Sequence, residues 1–163
     1  MSEVVSFQPI INPNSRVLVL GSMPGVQSIT EQKYYANPRN QFWKIIYEVF
    51  STPLEQCYDS RLEFIRNKGI ALWDVIDKCR RIGSLDSNIK KASVNDFEFL
   101  YSNYPNLKLV VFNGAKAHEL YKKQVGCNRS DLDYRLLPST SPAHTMKYEE
   151  KLKQWNIIAD YLG

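Results

Sequence analysis

Four short apolar runs alternate along the chain with stretches of helical spacing. The runs cover residues 17–20, 70–73, 107–112 and 134–137, and each is rich in Val, Ile, Leu or aromatic residues. Short continuous apolar runs of this kind are typical of strands buried on both faces of a parallel sheet. The pattern therefore predicts four buried strands.

Helical periodicity is strongest in two places. From Asn40 onward, apolar residues recur at 42, 45, 46, 49 and 50, and a similar stripe at 152, 155, 158, 159 and 162 predicts a closing helix. Weaker helices are predicted at 60–67, 95–102 and 115–123. Alternating strands and helices favour an α/β fold with a mainly parallel sheet and right-handed crossovers. At 163 residues the chain has the size of a single domain, 1–163.

The ends of the predicted strands indicate where function is to be sought. In open α/β sheets, ligands bind outside the carboxyl ends of the strands. Three segments leave predicted strands at that edge: 21–25, 113–114 and 138–144. We expect these segments to converge on one rim.

Composition adds a few limits. The net charge of +4 and the sequence pI of about 8.9 suit a polyanionic partner without identifying one. The three cysteines, Cys57, Cys79 and Cys127, form no CxxC pair and are interpreted as ordinary thiols in or near the core. Neither a metal site nor an iron–sulfur cluster is indicated, so we expect no cofactor. The absence of a long apolar run or a signal-like start predicts a cytoplasmic protein without membrane association.

Each candidate segment also has a plain structural interpretation. The 21–25 segment GSMPG can be a simple strand-to-loop turn, and Asn40 can be only a helix cap. Tyr34 and Tyr35 can be packing residues instead of platforms for a base, although Arg39 beside a helix start is placed to meet a phosphate. The hydroxyl-rich 138–144 loop, between two prolines, can grip DNA phosphates or simply precede the last helix.

Three motifs together carry a family resemblance: GSMPG at 21–25, NPRNQFW at 37–43 and LPSTSPA at 137–143. In this combination the sequence resembles the uracil-DNA glycosylase superfamily, and most closely its hypoxanthine-DNA glycosylase branch. The resemblance covers most of the chain. It implies a three-layer α/β/α domain around a four-stranded, mainly parallel sheet.

The resemblance also implies roles for individual residues. Tyr35 would stack under a base flipped out of DNA, and Asn113 would read that base with its amide, which both donates and accepts hydrogen bonds. The loop residues Ser139, Thr140 and Ser141 would bind phosphates, and Ala143 or His144 would enter the gap left in the base stack. The partner would be DNA that contains a deaminated base, bound by a monomer.

One position departs from the superfamily pattern. The third residue of the first loop is usually Asp or Asn and assists the attacking water, whereas here it is Met23. The hypoxanthine branch shares this loss, and the resemblance moves the catalytic amide to Asn40. Oriented N–H groups of Ser22 or Met23, together with Asn113, would receive negative charge on the departing base. Asn40 would position water against the sugar, without an acid, a metal or a covalent nucleophile.

Two other functional classes remain open from the residues alone. A small-molecule nucleoside hydrolase can use the same strand-end pocket, and a non-catalytic nucleic-acid-binding module can stack bases on Tyr34 and Tyr35. A serine hydrolase is disfavoured because the chain has no GxSxG motif. The sequence-based expectation is thus a monofunctional DNA glycosylase of base excision repair, acting on hypoxanthine and on uracil as a second substrate.

Overall fold

The computed structural model describes residues 3–162, so Met1, Ser2 and Gly163 lie outside the described residues. Met1 and Ser2 belong to the N-terminal segment on which the expected localisation was based. The strands in chain order are β1 (Glu3–Val5), β2 (Val17–Gly21), β3 (Ile70–Asp74), β4 (Ile76–Arg80), β5 (Lys90–Val94), β6 (Leu109–Asn113) and β7 (Asp133–Leu137). The helices are α1 (Val26–Glu31), α2 (Phe42–Val49), α3 (Tyr58–Lys68), α4 (Phe97–Asn103), α5 (Ala115–Gln124), α6 (Tyr148–Trp155) and α7 (Ile157–Leu162), with a 3-10 turn at Asp86–Asn88.

The four predicted strands form one parallel sheet in the order β3-β2-β6-β7. Alternate residues of each central strand face opposite layers. Val17 and Val19 pack toward α2, α3, α6 and α7, whereas Leu18 and Leu20 pack toward α4 and α5. Because both faces are covered by helices, the strands are apolar throughout. This arrangement confirms the predicted α/β/α fold class.

A second sheet, antiparallel and three-stranded in the order β1-β4-β5, was not predicted. Its strands carry many charged residues, as in IDKCR for β4 and KKASV for β5, so they lack the apolar run that identified the other strands. β4 follows β3 after Val75 alone. The backbone N–H groups of Val75 and Ile76 donate to the carbonyls of Gly21 and Ser22, which ties the second sheet to the end of β2.

Several predicted boundaries were wrong. The third strand begins at Leu109, not 107: Leu107 is buried, but its N–H donates to the Tyr104 carbonyl in a turn. The closing helix is two helices, because α6 ends at Trp155 and α7 begins at Ile157, with Asn156 between them. The helix α1 was not predicted. Among the cysteines, Cys79 is buried but Cys57 is exposed, so the expectation that all three lie in or near the core was wrong for Cys57.

Within residues 3–162, none of the helices is both long and apolar enough to span a membrane.

Candidate active site

A cavity of about 770 Å³ opens at the carboxyl ends of β2, β3 and β6. The three strand-end segments and the 34–40 region all contribute to its wall. Every site residue proposed from the sequence lines it: Ser22, Met23, Tyr35, Arg39, Asn40, Asn113, Ser139, Thr140, Ser141, Ala143 and His144. The expected convergence of these segments is therefore observed, whatever the chemistry of each residue.

Tyr35 is held in an unusual backbone conformation. Its φ angle of 56° lies in the left-handed region, which residues other than glycine rarely occupy. The ring stacks on Phe42 of α2, with centroids 4.0 Å apart and planes 20° from parallel. Burial, followed by the negative charge of Asp74, raises the pKa of Tyr35, so the phenol stays neutral. The result is a rigid, uncharged aromatic surface at the cavity.

Tyr34 differs from its neighbour. It is 5% exposed, its hydroxyl donates to the Gln8 carbonyl, and its own carbonyl accepts from the Trp43 indole N–H. These contacts fix it in the core layer beside α2. Both tyrosines line the cavity, but Tyr34 is buried whereas Tyr35 is partly exposed.

Asn40 directly precedes Gln41, the N-cap residue of α2, and its side chain both bonds to the start of the helix and lines the cavity. Its Oδ1 accepts from the Phe42 N–H at 3.0 Å, which satisfies one of the helix's first N–H groups. The two interpretations of Asn40 left open by the sequence are thus compatible. The cap fixes which end of the amide faces the helix, and it uses only one lone pair of Oδ1.

Asn113 joins β6 to the 138–144 loop. Its Oδ1 accepts from the Thr140 backbone N–H at 2.9 Å, and because that group can only donate, the amide orientation is fixed. Its Nδ2 donates to Thr140 Oγ1 at 3.0 Å and to the Tyr35 hydroxyl at 3.3 Å. Both Nδ2 hydrogens are therefore engaged, while Oδ1 keeps one further lone pair.

The first loop is anchored by its side chains. Ser22 Oγ donates to Asp86 Oδ1 at 2.6 Å, and Met23, 7% exposed, packs with Ile76, Cys79 and Ile89 under the second sheet. The Met23 side chain thus serves packing.

The 138–144 loop is fixed from within and from α6. Ser139 Oγ and Ser141 Oγ accept from the N–H groups of Ser141 and Ala143. Trp155 Nε1 donates to the Pro138 carbonyl at 2.9 Å.

Lys151, 1% exposed, donates from Nζ to the His144 carbonyl at 2.8 Å and to the Ser141 carbonyl at 3.5 Å. Burial lowers the pKa of Lys151.

Asp74 is a cavity residue that sequence reasoning missed. It ends β3, is 5% exposed and lines the cavity, and its Oδ2 has no hydrogen-bond partner among residues 3–162. Burial, and then the nearby charge of Asp86, raise the pKa of Asp74 to about 7, against a smaller lowering by Arg81. The expectation of a site without an acid did not take this carboxyl group into account.

Comparison with known proteins places this fold and cavity in a family. The sequence pattern of the "Uracil DNA glycosylase superfamily" matches residues 8–161. The chain belongs to this superfamily. A "Hypoxanthine DNA glycosylase" from Methanosarcina acetivorans is 33% identical over 153 residues, 93% of this chain and 95% of that protein. One of the same name from Methanosarcina barkeri is 41% identical over 114 residues, 69% and 72% of the two chains.

Structure comparison agrees with the sequence comparison. The solution NMR structure of a candidate uracil DNA glycosylase from Methanosarcina acetivorans superimposes with a TM-score of 0.86 at 31% identity, covering 99% of both chains. Membership in the uracil DNA glycosylase superfamily confirms the expected enzyme class, a DNA glycosylase.

One cavity residue that was missed, Asp74, could have been found from the sequence, whereas the burial of Lys151 beside the 138–144 loop could not. Asp74 directly follows the predicted strand 70–73, and the strand-end rule that selected Asn113 applies equally to it. Lys151 lies on the apolar stripe of the last helices, one residue before Leu152. Its burial depends on hydrogen bonds to the carbonyls of Ser141 and His144, and the spacing of apolar residues does not predict such bonds.

We expect Lys151→Met to weaken DNA binding more than it weakens folding. The substitution removes a buried charge whose desolvation is costly, but it leaves the carbonyls of Ser141 and His144 without their donor, so the loop loosens. DNA affinity, measured by fluorescence anisotropy with a labelled duplex, should fall about tenfold, the equivalent of roughly one net hydrogen bond. Lys153→Met, exposed on the same helix, is the control. Equal loss in both variants would show that only net charge matters.

We expect Asp74→Asn to stabilise the protein progressively between about pH 4 and pH 7. The raised pKa in the folded state means that the stability from protonated Asp74 is present at low pH and is lost as pH rises toward 7. The non-ionising variant escapes this loss, on the order of 2–4 kcal/mol at pH 7. Urea unfolding of both proteins across this range measures it. A pH-dependent gain of the same size in Asp77→Asn would contradict the assignment to Asp74.

Proposed function

We propose that this protein excises hypoxanthine from DNA, and uracil as a second substrate, by hydrolysing the bond between the flipped base and its deoxyribose. The observation that carries the proposal is the fixed amide of Asn113 beside the Tyr35 ring. The names of the two curated relatives agree with this choice of base.

The orientation of Asn113 supports selection of deaminated bases. The Thr140 N–H holds Asn113 Oδ1 as an acceptor, and its second lone pair can receive one further N–H. Hypoxanthine presents N1–H and uracil presents N3–H beside a carbonyl, whereas adenine and cytosine carry an unprotonated acceptor nitrogen at the corresponding position. A fixed acceptor therefore favours the deaminated base and repels its parent. If Asn113 also donates to the base, its Nδ2 must exchange one of its present bonds.

The remaining residues support base flipping and bond cleavage. The Tyr35 ring, backed by Phe42, offers a stacking surface for the extruded base. Backbone N–H groups of Ser22 or Met23 are proposed to stabilise negative charge on the departing base. The free lone pair of Asn40 Oδ1 would orient a water toward the sugar carbon, where positive charge develops and little deprotonation is needed.

The rim is proposed to hold the DNA. Arg39, Ser139, Thr140 and Ser141 would contact phosphates, which position a protein without reading sequence. Ala143 and His144, both exposed at the rim, would fill the gap left by the flipped base. Because one chain supplies the whole cavity, we propose that the protein acts as a monomer.

Labelled duplexes that contain one deoxyinosine, one deoxyuridine or only normal bases test the function directly. After incubation with the protein and then with alkali, strand scission at the deaminated position alone is the expected result. Binding without scission would favour a non-catalytic module, and release only from free nucleosides would favour a nucleoside hydrolase. The salt dependence of DNA binding should follow the number of phosphate contacts.

We expect Asn40→Ala and Asn40→Ser to separate capping from catalysis. The alanine variant loses the cap, at about 1 kcal/mol, whereas serine keeps an oxygen that accepts from the helix N–H groups. Both variants lose the amide that orients the attacking water. Single-turnover base release should therefore fall at least about 100-fold in both, the usual effect of a misplaced reactant. DNA binding should persist. Wild-type activity in the stable serine variant would show that Asn40 is only a cap.

A further inference from the structure

The position of Asp74 requires a glycine beside it. Asp74 pairs with Gly21 across the neighbouring strands β3 and β2, and a Cβ on Gly21 would lie 2.7 Å from Asp74 Oδ1. The same Cβ would lie 3.5 Å from the Tyr35 hydroxyl. The missing side chain therefore lets the carboxyl group approach the Tyr35 hydroxyl over the end of the central strand.

The carboxyl group is buried without full satisfaction. Asp74 lines the cavity and is 5% exposed, and its buried Oδ2 has no hydrogen-bond partner within the described residues 3–162. Buried polar atoms are nearly always paired, so an orphan atom in a ligand cavity indicates a partner that arrives with the ligand. An ionised carboxylate only accepts hydrogen bonds, whereas a protonated one also donates.

The groups that face Asp74 favour its protonated form. Asp86, from the 3-10 turn, adds negative charge, and the phenols of Tyr34 and Tyr35 are neutral because burial raises the pKa of each. Arg81 opposes this effect, but its guanidinium is directed to the Pro24 carbonyl. Burial, and then the charge of Asp86 against a smaller lowering by Arg81, raise the pKa of Asp74 to about 7, where a carboxylic acid can act as a proton donor.

Resting on the proposed function, we propose that Asp74 is a catalytic general acid that donates its proton to N7 of a flipped hypoxanthine. As the C1′–N9 bond breaks, its electron pair passes to the purine, and the proton from Asp74 neutralises the ring at N7. Water adds to C1′, and the proton that it loses returns the carboxylate to the acid form. The products are neutral hypoxanthine and an abasic site.

This role distinguishes purine from pyrimidine substrates. N7 is the most basic ring nitrogen of a hypoxanthine nucleoside, and its protonation turns a poor leaving group into a good one. Uracil has no equivalent nitrogen and leaves as an anion that N–H donors stabilise. Asp74 therefore acts on hypoxanthine, whereas Asn40 and the first loop serve both bases.

Single-turnover base release from three oligonucleotides tests the assignment. The substrates contain deoxyinosine, 7-deazadeoxyinosine or deoxyuridine, and the proteins are the wild type, Asp74→Asn and Asp77→Asn. Asp74→Asn should slow release of hypoxanthine by about 100-fold or more, the usual contribution of a positioned acid. It should slow uracil release far less, and it should not change the already slow release of 7-deazahypoxanthine. Asp77 lies outside the cavity lining, so Asp77→Asn should match the wild type.

The pH profile gives a second, independent readout. For the wild type on deoxyinosine, the rate should fall above about pH 7 as Asp74 loses its proton, and this fall should be absent in Asp74→Asn. On 7-deazadeoxyinosine the rate of the wild type should not fall above about pH 7, so comparing the two substrates tests the role of Asp74 without any variant. Thermal unfolding checks that the variants are folded.

The outcomes separate the two proposals. Wild-type rates and pH dependence in Asp74→Asn, or an equal effect of the substitution on deoxyinosine and 7-deazadeoxyinosine, would overturn the role of Asp74 and leave the proposed function standing. Release of no base from any oligonucleotide by the wild type would overturn the proposed function and the acid role with it.

Discussion

The absence of a side chain at Gly21 is the constraint on which the site depends. At the end of the central strand, this position lies between a buried carboxyl group on β3 and the Tyr35 hydroxyl, and any Cβ there would collide with the carboxyl oxygen. Because position 21 has no Cβ, the side chains of Asp74, Tyr35 and Asn113 can converge at one end of the sheet. A parallel register that ends β2, β3 and β6 at the same edge makes this convergence possible.

Two of the site's side chains are oriented by hydrogen bonds to the backbone. Asn40 Oδ1 accepts from the N–H of Phe42, the first residue of α2, and Asn113 Oδ1 accepts from the Thr140 N–H. Such bonds hold each amide in one orientation before any ligand arrives. Ordering a mobile side chain during binding costs free energy and weakens the binding of the ligand. Because these amides are already held in place, the cavity is preorganised.

Lys151 and Asp74, two of the buried ionisable groups near the site, differ in how they are satisfied. Lys151 donates to two loop carbonyls and thereby fixes the rim. Asp74 leaves one oxygen without a partner among residues 3–162. A satisfied buried charge indicates a structural role, whereas an unsatisfied one in a cavity indicates an interaction still to be made. Lys151 therefore stabilises the shape of the rim, whereas Asp74 is the group to which we assign a chemical role.

The sequence by itself determined the parallel sheet, its main helices and the convergence of the strand-end segments. Central strands such as 17–20 must be apolar on both faces, and the helix at 42–49 must bury one stripe, so each leaves a local pattern. Tertiary structure alone decided the second sheet, the break at Asn156 and the burial of Lys151 and Asp74. Charged strands such as β5 carry no apolar period, and the environment of a carboxyl or ammonium group is set by residues distant in the chain. Gly21, Asp74 and Asp86 meet only after folding, so the chemistry of that group is a property of the fold.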